Sequence, residues 1–116
     1  MKRALCTLAL SLLLIQPSLA NGRQAGWPHA WCGAWLAQHL GISGQKAREL
    51  WLARNWLRFP KTNAHAGAIA VMRHHVGIVT DVDPNGNPVI LSGNHNNRVG
   101  TGVYPRGRIL AYVDVR

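Results

Sequence analysis

The sequence predicts an α+β domain in which N-terminal helices pack on an antiparallel β-sheet. Between residues 31 and 57, apolar side chains recur at helical spacing. After Gly67 the pattern changes to short apolar runs of strand length. The pair Asn85-Gly86 separates two of these runs and is typical of a β-hairpin turn. Helices followed by strands that are joined by short turns indicate an α+β architecture.

The N-terminus has the three regions of a secretory signal peptide, over residues 1–20. It begins with the basic pair Lys2-Arg3, continues with an apolar run, and ends with the small residues Ser18 and Ala20 of a cleavage site. The apolar run has 12 residues, whereas a helix that spans a bilayer needs about 20. We therefore expect a periplasmic or secreted protein that has no integral membrane segment after cleavage.

Residues 21–116 are sufficient for one small domain and no more. Because Cys6 lies in the signal peptide, this domain contains a single cysteine, Cys32, and cannot form an internal disulfide. Without Lys2 and Arg3, 11 basic residues face 4 acidic residues, which gives a net charge of +7 with neutral histidines. The excess favours an anionic partner, and export favours peptidoglycan or another anionic envelope polymer over nucleic acid.

Two helices are predicted in the first half of the domain. The first covers residues 31–40, where Leu36 and Leu40 are one helical turn apart, and it ends before Gly41. The second covers about residues 45–57, with apolar side chains on one face and basic side chains on the other. Both helices are expected to bury their apolar faces against the rest of the domain.

Four strands are predicted in the second half, and the Asn/Gly-rich segment 93–102 is expected to be an irregular loop. The strands are residues 68–73, 76–82, 89–92 and 108–115. Because short turns join them, we expect an antiparallel meander.

Cys32 and His75 are the candidate catalytic residues. Cys32 lies in the first turn of the first helix, where free backbone N–H groups and the helix dipole stabilise a thiolate. A nucleophilic cysteine also needs a base, and His75, at the start of a strand, is the candidate. The adjacent His74 points to the opposite face of that strand, so the pair is poorly placed to clamp one metal ion. We expect neither a metal nor a cofactor.

The residue that orients the His75 ring depends on the register of the hairpin. If Asn85-Gly86 forms a two-residue type I′ turn, Asn94 lies diagonally to His75 on the same face. If the loop has three residues, His75 faces His95, and Asn94 points to the other face. We favour Asn94, because a neutral amide accepts the imidazole N–H, whereas a protonated histidine would repel the imidazolium formed during catalysis.

Six segments of the chain, taken in order, resemble the small secreted NlpC and CHAP proteins, a group of papain-like cell-wall hydrolases. These segments are residues 31–35, 53–57, 67–71, 74–79, 92–94 and 104–112. The resemblance implies a papain-like fold, with Cys32 as the nucleophile, His75 as the base and Asn94 as the orienting residue. It also implies hydrolysis of amide bonds in peptidoglycan, either within stem peptides or at the sugar–peptide amide. Many relatives have an acidic residue before the cysteine, where this chain has Trp31.

Five tryptophans lie in the first half of the chain, at positions 27, 31, 35, 51 and 56. Trp27 and Trp31 flank Cys32 and are candidates for a substrate-binding wall that stacks on sugar or peptide, with core packing as the alternative. For Trp35, Trp51 and Trp56 we favour core packing.

The sequence is compatible with three functions. The first is a cysteine hydrolase that cleaves peptidoglycan by a Cys-His-Asn mechanism. The alternative is a catalytically inactive, basic envelope-binding module on the same fold. A cationic membrane-active protein fits less well, because the core needs the apolar face of the helix at residues 45–57. The reactivity of Cys32 distinguishes the first two.

Overall fold

Helices occupy the N-terminal part of the domain, and a six-stranded antiparallel sheet occupies the remainder. The computed structural model describes residues 22–116, and the signal peptide expected at residues 1–20 lies outside them. The α+β class is confirmed. Within the described residues, none of the helices has the length and apolar character that crossing a membrane requires.

The helical part consists of two α-helices and a 3₁₀ helix. Helix α1 is Cys32–His39, α2 is Gly44–Glu49, and the 3₁₀ helix is Ala53–Arg58. The first helix agrees with the prediction to within one residue at each end. The prediction of a single helix over residues 45–57 is wrong. Helix α2 ends at Glu49, and a turn separates it from the 3₁₀ helix that begins at Ala53.

Side chains from the 3₁₀ helix explain why α2 ends early. The Trp56 indole Nε1–H donates to the carbonyl oxygen of Leu50 at 2.8 Å, and Asn55 Nδ2 donates to that of Glu49 at 2.6 Å. In a continuous helix these carbonyls would accept from the N–H groups four residues later. The break turns the whole Trp56 side chain into the core, where it is fully buried.

The sheet has the strand order β1-β6-β2-β3-β4-β5. The strands are β1 (Lys61–Thr62), β2 (Ile69–Met72), β3 (Val76–Val82), β4 (Pro88–His95), β5 (Arg98–Val103) and β6 (Ile109–Val113). Strands β2 to β5 form a meander, and β6 returns to pair with β2 on the other side. The short strand β1, which was not expected, pairs with β6.

The loop expected over residues 93–102 is wrong, because β4 continues to His95 and β5 begins at Arg98. Only Asn96 and Asn97 connect them, with φ of +53° and +65°. Two central residues with positive φ define a type I′ turn, and asparagine tolerates this left-handed backbone. The hairpin signal in this region is therefore an Asn-Asn pair.

The turn between β3 and β4 is the three-residue form rather than the two-residue form that we favoured. Asp83 donates its backbone N–H to the carbonyl of Asn87 at 2.9 Å, and Gly86 has a φ of +82°. A register shift then follows within β3, so that Ile78 pairs with Leu91. At His75, the pairing of β3 with β4 therefore follows neither the register of a two-residue turn nor that of a three-residue turn.

Apolar clusters lie on both faces of the sheet. One face packs against the helices, through Leu36 of α1 and the buried Trp56. The other face has a smaller cluster around Met72 and Ile90, against which Tyr104 packs. The central strands β2 and β3 are thus covered on both faces. This packing holds in place the start of β3, which His75 directly precedes.

Candidate active site

Cys32 is the first residue of α1, and its side chain is buried. Its thiol lies against the backbone N–H of Val76, the first residue of β3. Burial raises the pKa of the Cys32 thiol, and hydrogen bonds from the N–H groups of Val76, Gly33 and Cys32 itself lower it to a smaller extent. The thiolate expected at the helix start is therefore not the resting form, and Cys32 is a neutral thiol at neutral pH.

His75 directly precedes Val76 and is half-buried. Its Nε2 atom lies 2.8 Å from Ser92 Oγ and 3.2 Å from the hydroxyl oxygen of Tyr104. The Tyr104 ring stacks on the imidazole, with centroids 5.5 Å apart and planes inclined by 19°. Since Nε2 is engaged by these hydroxyl groups, Nδ1 is the ring nitrogen that is left for a second partner.

The surroundings of His75 favour its neutral form. Burial lowers the pKa of His75 to about 4, and the positive charges of Arg108 and then of His95 act in the same direction. At neutral pH the imidazole is therefore uncharged and able to accept a proton. The Cys32 thiol and the His75 imidazole are therefore both neutral at neutral pH.

Tyr104 extends the hydrogen-bonded chain to His95. The Tyr104 hydroxyl lies 2.9 Å from His95 Nδ1 and also contacts His75. The His95 ring lies over two glycines of β5, because a Cβ atom at Gly100 or Gly102 would come within 2.8 Å of it. Ser92, His75, Tyr104 and His95 are thus connected in one chain.

Asn94, the predicted orienting residue, lines the cavity beside His75. Within the described residues, however, the side-chain hydrogen bonds to the His75 ring come from Ser92 and Tyr104. Asn94 has a φ of +56° at a register shift in β4, and this irregularity was not expected. The predicted contact between Asn94 and His75 is therefore replaced by two hydroxyl contacts. His95, the alternative residue, reaches His75 through Tyr104.

Ser92 and Tyr104 are the site residues that sequence reasoning missed. Ser92 is fully buried and follows the buried Ile90 on the same face of β4. A polar residue at an apolar position of a strand needs a hydrogen-bond partner, and that was the signal available. Tyr104 lies 29 residues from His75, and no local spacing indicates their contact.

The two tryptophans expected to bind substrate have different environments. The Trp31 ring is buried, with an exposed fraction of 2%, and packs against Gly93 of β4. It therefore packs in the core, which is the alternative that the sequence left open for this residue. Trp27 is half-buried and stacks on Trp31, with centroids 5.9 Å apart. Trp27 lines a surface cavity together with Trp51.

Two cavities that share His74 as a lining residue lie at the site. One, of about 440 Å³, lies beside His75, and a smaller one, of about 100 Å³, reaches Cys32. His74 is exposed and lines both. Within residues 22–116, no group of three or more His, Cys, Asp or Glu side chains is placed to hold a metal ion. The chemistry that this arrangement allows is nucleophilic attack by a thiol assisted by an imidazole.

Comparison of the chain with family models, with curated proteins and with solved structures gives no match.

Proposed function

We propose that the protein is a periplasmic or secreted cysteine hydrolase that cleaves amide bonds in peptidoglycan, on the papain-like fold of the NlpC and CHAP proteins. One observation carries the proposal: the Cys32 thiol, at the start of α1, lies against the backbone of Val76, the residue after His75. A cysteine on a helix beside a histidine at a strand is the arrangement of papain-type hydrolases. The basic excess of the sequence supports an anionic polymer as the substrate.

Catalysis starts from the neutral pair. His75 Nδ1 accepts the proton of Cys32 as Sγ attacks the carbonyl carbon, and backbone N–H groups at the start of α1 stabilise the oxyanion. The imidazolium returns this proton to the amide nitrogen, the C–N bond breaks, and a thioester forms on Cys32. A water molecule, deprotonated by His75, hydrolyses the thioester, which releases a carboxylic acid and restores the thiol.

Ser92 and Tyr104 take the role that the resemblance gave to Asn94. When His75 becomes an imidazolium, its Nε2–H donates to the oxygen atoms of Ser92 and Tyr104. These contacts hold the ring orientation and offset part of the cost of a charge in a half-buried position. The proposed mechanism is thus a Cys-His pair with hydroxyl support, and Asn94 lies at the cavity.

A catalytically inactive, basic envelope-binding module on the same fold is the second candidate. The burial of Cys32, with an exposed fraction of 2%, favours it, because a nucleophile must reach its substrate. The cavity of about 100 Å³ that reaches Cys32 favours the hydrolase instead. The two candidates differ in whether peptidoglycan is cut or only bound.

Mass spectrometry of purified peptidoglycan, incubated with the exported chain, separates these candidates. The hydrolase produces new fragments whose ends identify the bond, and Cys32→Ser produces none while it unfolds at the same temperature as the wild type. Digestion by Cys32→Ser at the wild-type rate would contradict the role of Cys32. Binding to cell walls without any fragment would identify the protein as the binding module.

A further inference from the structure

Most of the residues that line the cavity beside His75 are polar, and Val103 and Pro105 are the apolar ones. The cavity has a volume of about 440 Å³ and lies where the β4–β5 turn meets the segment before β6. Besides His75, its polar lining residues are His74, Asn94, His95, Asn96, Tyr104 and Arg108. A cavity with this lining, adjacent to the proposed base, is placed to hold a polar group of the substrate close to the bond that is cut.

The cavity is positively charged, because Arg108 contributes a permanent charge and no carboxylate lines it. The sequence contains 4 acidic residues, and all of them have other contacts. Glu49 pairs with Arg58, Asp81 and Asp83 accept from backbone N–H groups of the β3–β4 hairpin, and Asp114 lies beside His65. Within residues 22–116, the Arg108 guanidinium therefore has no carboxylate partner.

Tyr104 couples Arg108 to the proposed base. The Arg108 guanidinium lies 5.6 Å from the centroid of the Tyr104 ring, and that ring stacks on the imidazole of His75. The unpaired charge is thus held one aromatic ring away from His75. An anion bound by Arg108 would lie close to the amide bond on which His75 acts.

We propose that this cavity is a subsite for a carboxylate group of the peptide substrate, bound by Arg108 and the neighbouring side-chain donors. The inference rests on the proposed function and narrows its substrates to peptides with a free carboxylate near the cleaved amide bond. A planar guanidinium matches the two oxygens of a carboxylate, which a paired N–H···O geometry binds strongly. A single permanent charge suits a carboxylate better than a dianionic phosphate, which would remain half-neutralised in the cavity.

Binding is measured without catalysis, by NMR titration of the Cys32→Ser protein. The probes are N-acetyl-D-alanyl-D-alanine, its C-terminal carboxamide and glycerol 3-phosphate. We expect the free acid to bind at least tenfold more tightly than the carboxamide and more tightly than the phosphate. In Arg108→Gln the preference for the acid is lost, whereas Arg106→Gln, an exposed control in the same segment, retains it.

Each remaining outcome contradicts the inference. Equal affinity for acid and carboxamide would show that the cavity does not bind the carboxylate. Equal loss in Arg106→Gln would show a diffuse effect of net charge, and tighter binding of glycerol 3-phosphate would identify a phosphate site. Because this titration requires no turnover, it can succeed when peptidoglycan digestion fails, and the reverse. The two proposals therefore fail separately.

Discussion

Two hydroxyl groups, of Ser92 and Tyr104, occupy Nε2 of the His75 ring and leave Nδ1 for the proposed proton transfer from Cys32. Cys32 and His75 were predictable as candidates, because one begins a helix and the other directly precedes a strand. Ser92 and Tyr104 were not, because their contacts with His75 depend on a shifted register and on a return of the chain 29 residues later. Local patterns in a sequence indicate which element carries a residue, whereas its partners depend on how the elements pair.

Loss of either hydroxyl should slow turnover more than loss of the Asn94 amide. We expect Ser92→Ala and Tyr104→Phe each to lower kcat about tenfold, or roughly 1.4 kcal/mol of barrier. Asn94→Ala should lower kcat less, because the ring is oriented by the other two residues. The measurement is peptidoglycan turnover as a function of pH, since a misplaced imidazole also shifts the acidic limb of the profile.

Tyr112→Phe is the matched control for this comparison, because Tyr112 lies on β6 and packs with the same apolar cluster as Tyr104. It should retain wild-type turnover. A loss in Asn94→Ala that exceeds both hydroxyl variants would restore Asn94 as the orienting residue.

The thiol of Cys32 should react slowly with iodoacetamide at pH 7. Burial raises the pKa of Cys32, and burial with nearby positive charge lowers the pKa of His75, so the reactive thiolate is scarce. We expect a slower rate than for free cysteine at pH 7, and a rate that rises with pH as the thiolate forms. The protein unfolded in guanidinium chloride is the control and should react like free cysteine. Rapid alkylation at pH 6–7 in the folded protein would indicate a thiolate–imidazolium pair instead.

At the scale of the elements, apolar runs predicted the central strands. The remaining elements depend on which groups bind the backbone carbonyl oxygens. The predicted helix at residues 45–57 failed because Trp56 and Asn55 occupy carbonyl groups that a continuous helix needs. The asparagine pair Asn96-Asn97 makes the tight turn, whereas Asn85-Gly86 belongs to a longer loop. The length of a turn depends on how the two flanking strands pair with each other. A two-residue motif carries no information about that pairing.

The contact between α1 and β4 depends on the absence of a side chain at Gly93. A Cβ atom there would lie 2.5 Å from Trp35 Cβ and 2.8 Å from Trp31 Cζ3, so α1 would have to move away from the sheet. We expect Gly93→Ala to lower the free energy of unfolding by about 1–3 kcal/mol, as overpacking does. Urea unfolding followed by tryptophan fluorescence measures it.

Gly107→Ala serves as the control for this substitution, because no heavy atom lies within 4 Å of its Cβ position. It should change the free energy of unfolding by less than about 0.5 kcal/mol. If both variants unfold alike, α1 does not pack on β4 as closely as the structure indicates.

At the scale of the whole molecule, a histidine that is half-buried and uncharged links the site to the stability of the fold. The pKa of His75 is lowered from 6.5 to about 4 in the folded protein. Above pH 6.5 both folded and unfolded forms hold a neutral imidazole, and the stability is complete. As the pH falls from 6.5 towards 4, the unfolded chain binds a proton that the folded chain excludes, so stability is lost.

We therefore expect the free energy of unfolding to fall by about 2 kcal/mol between pH 7 and pH 5, from the linkage of this one group. Urea unfolding at several pH values measures the slope of the free energy of unfolding against pH. His75→Gln should flatten it, whereas His74→Gln, at the exposed neighbouring position, should leave it unchanged. A slope that persists in His75→Gln would show that His75 is not the buried neutral group, and the neutral Cys32–His75 pair would lose its basis.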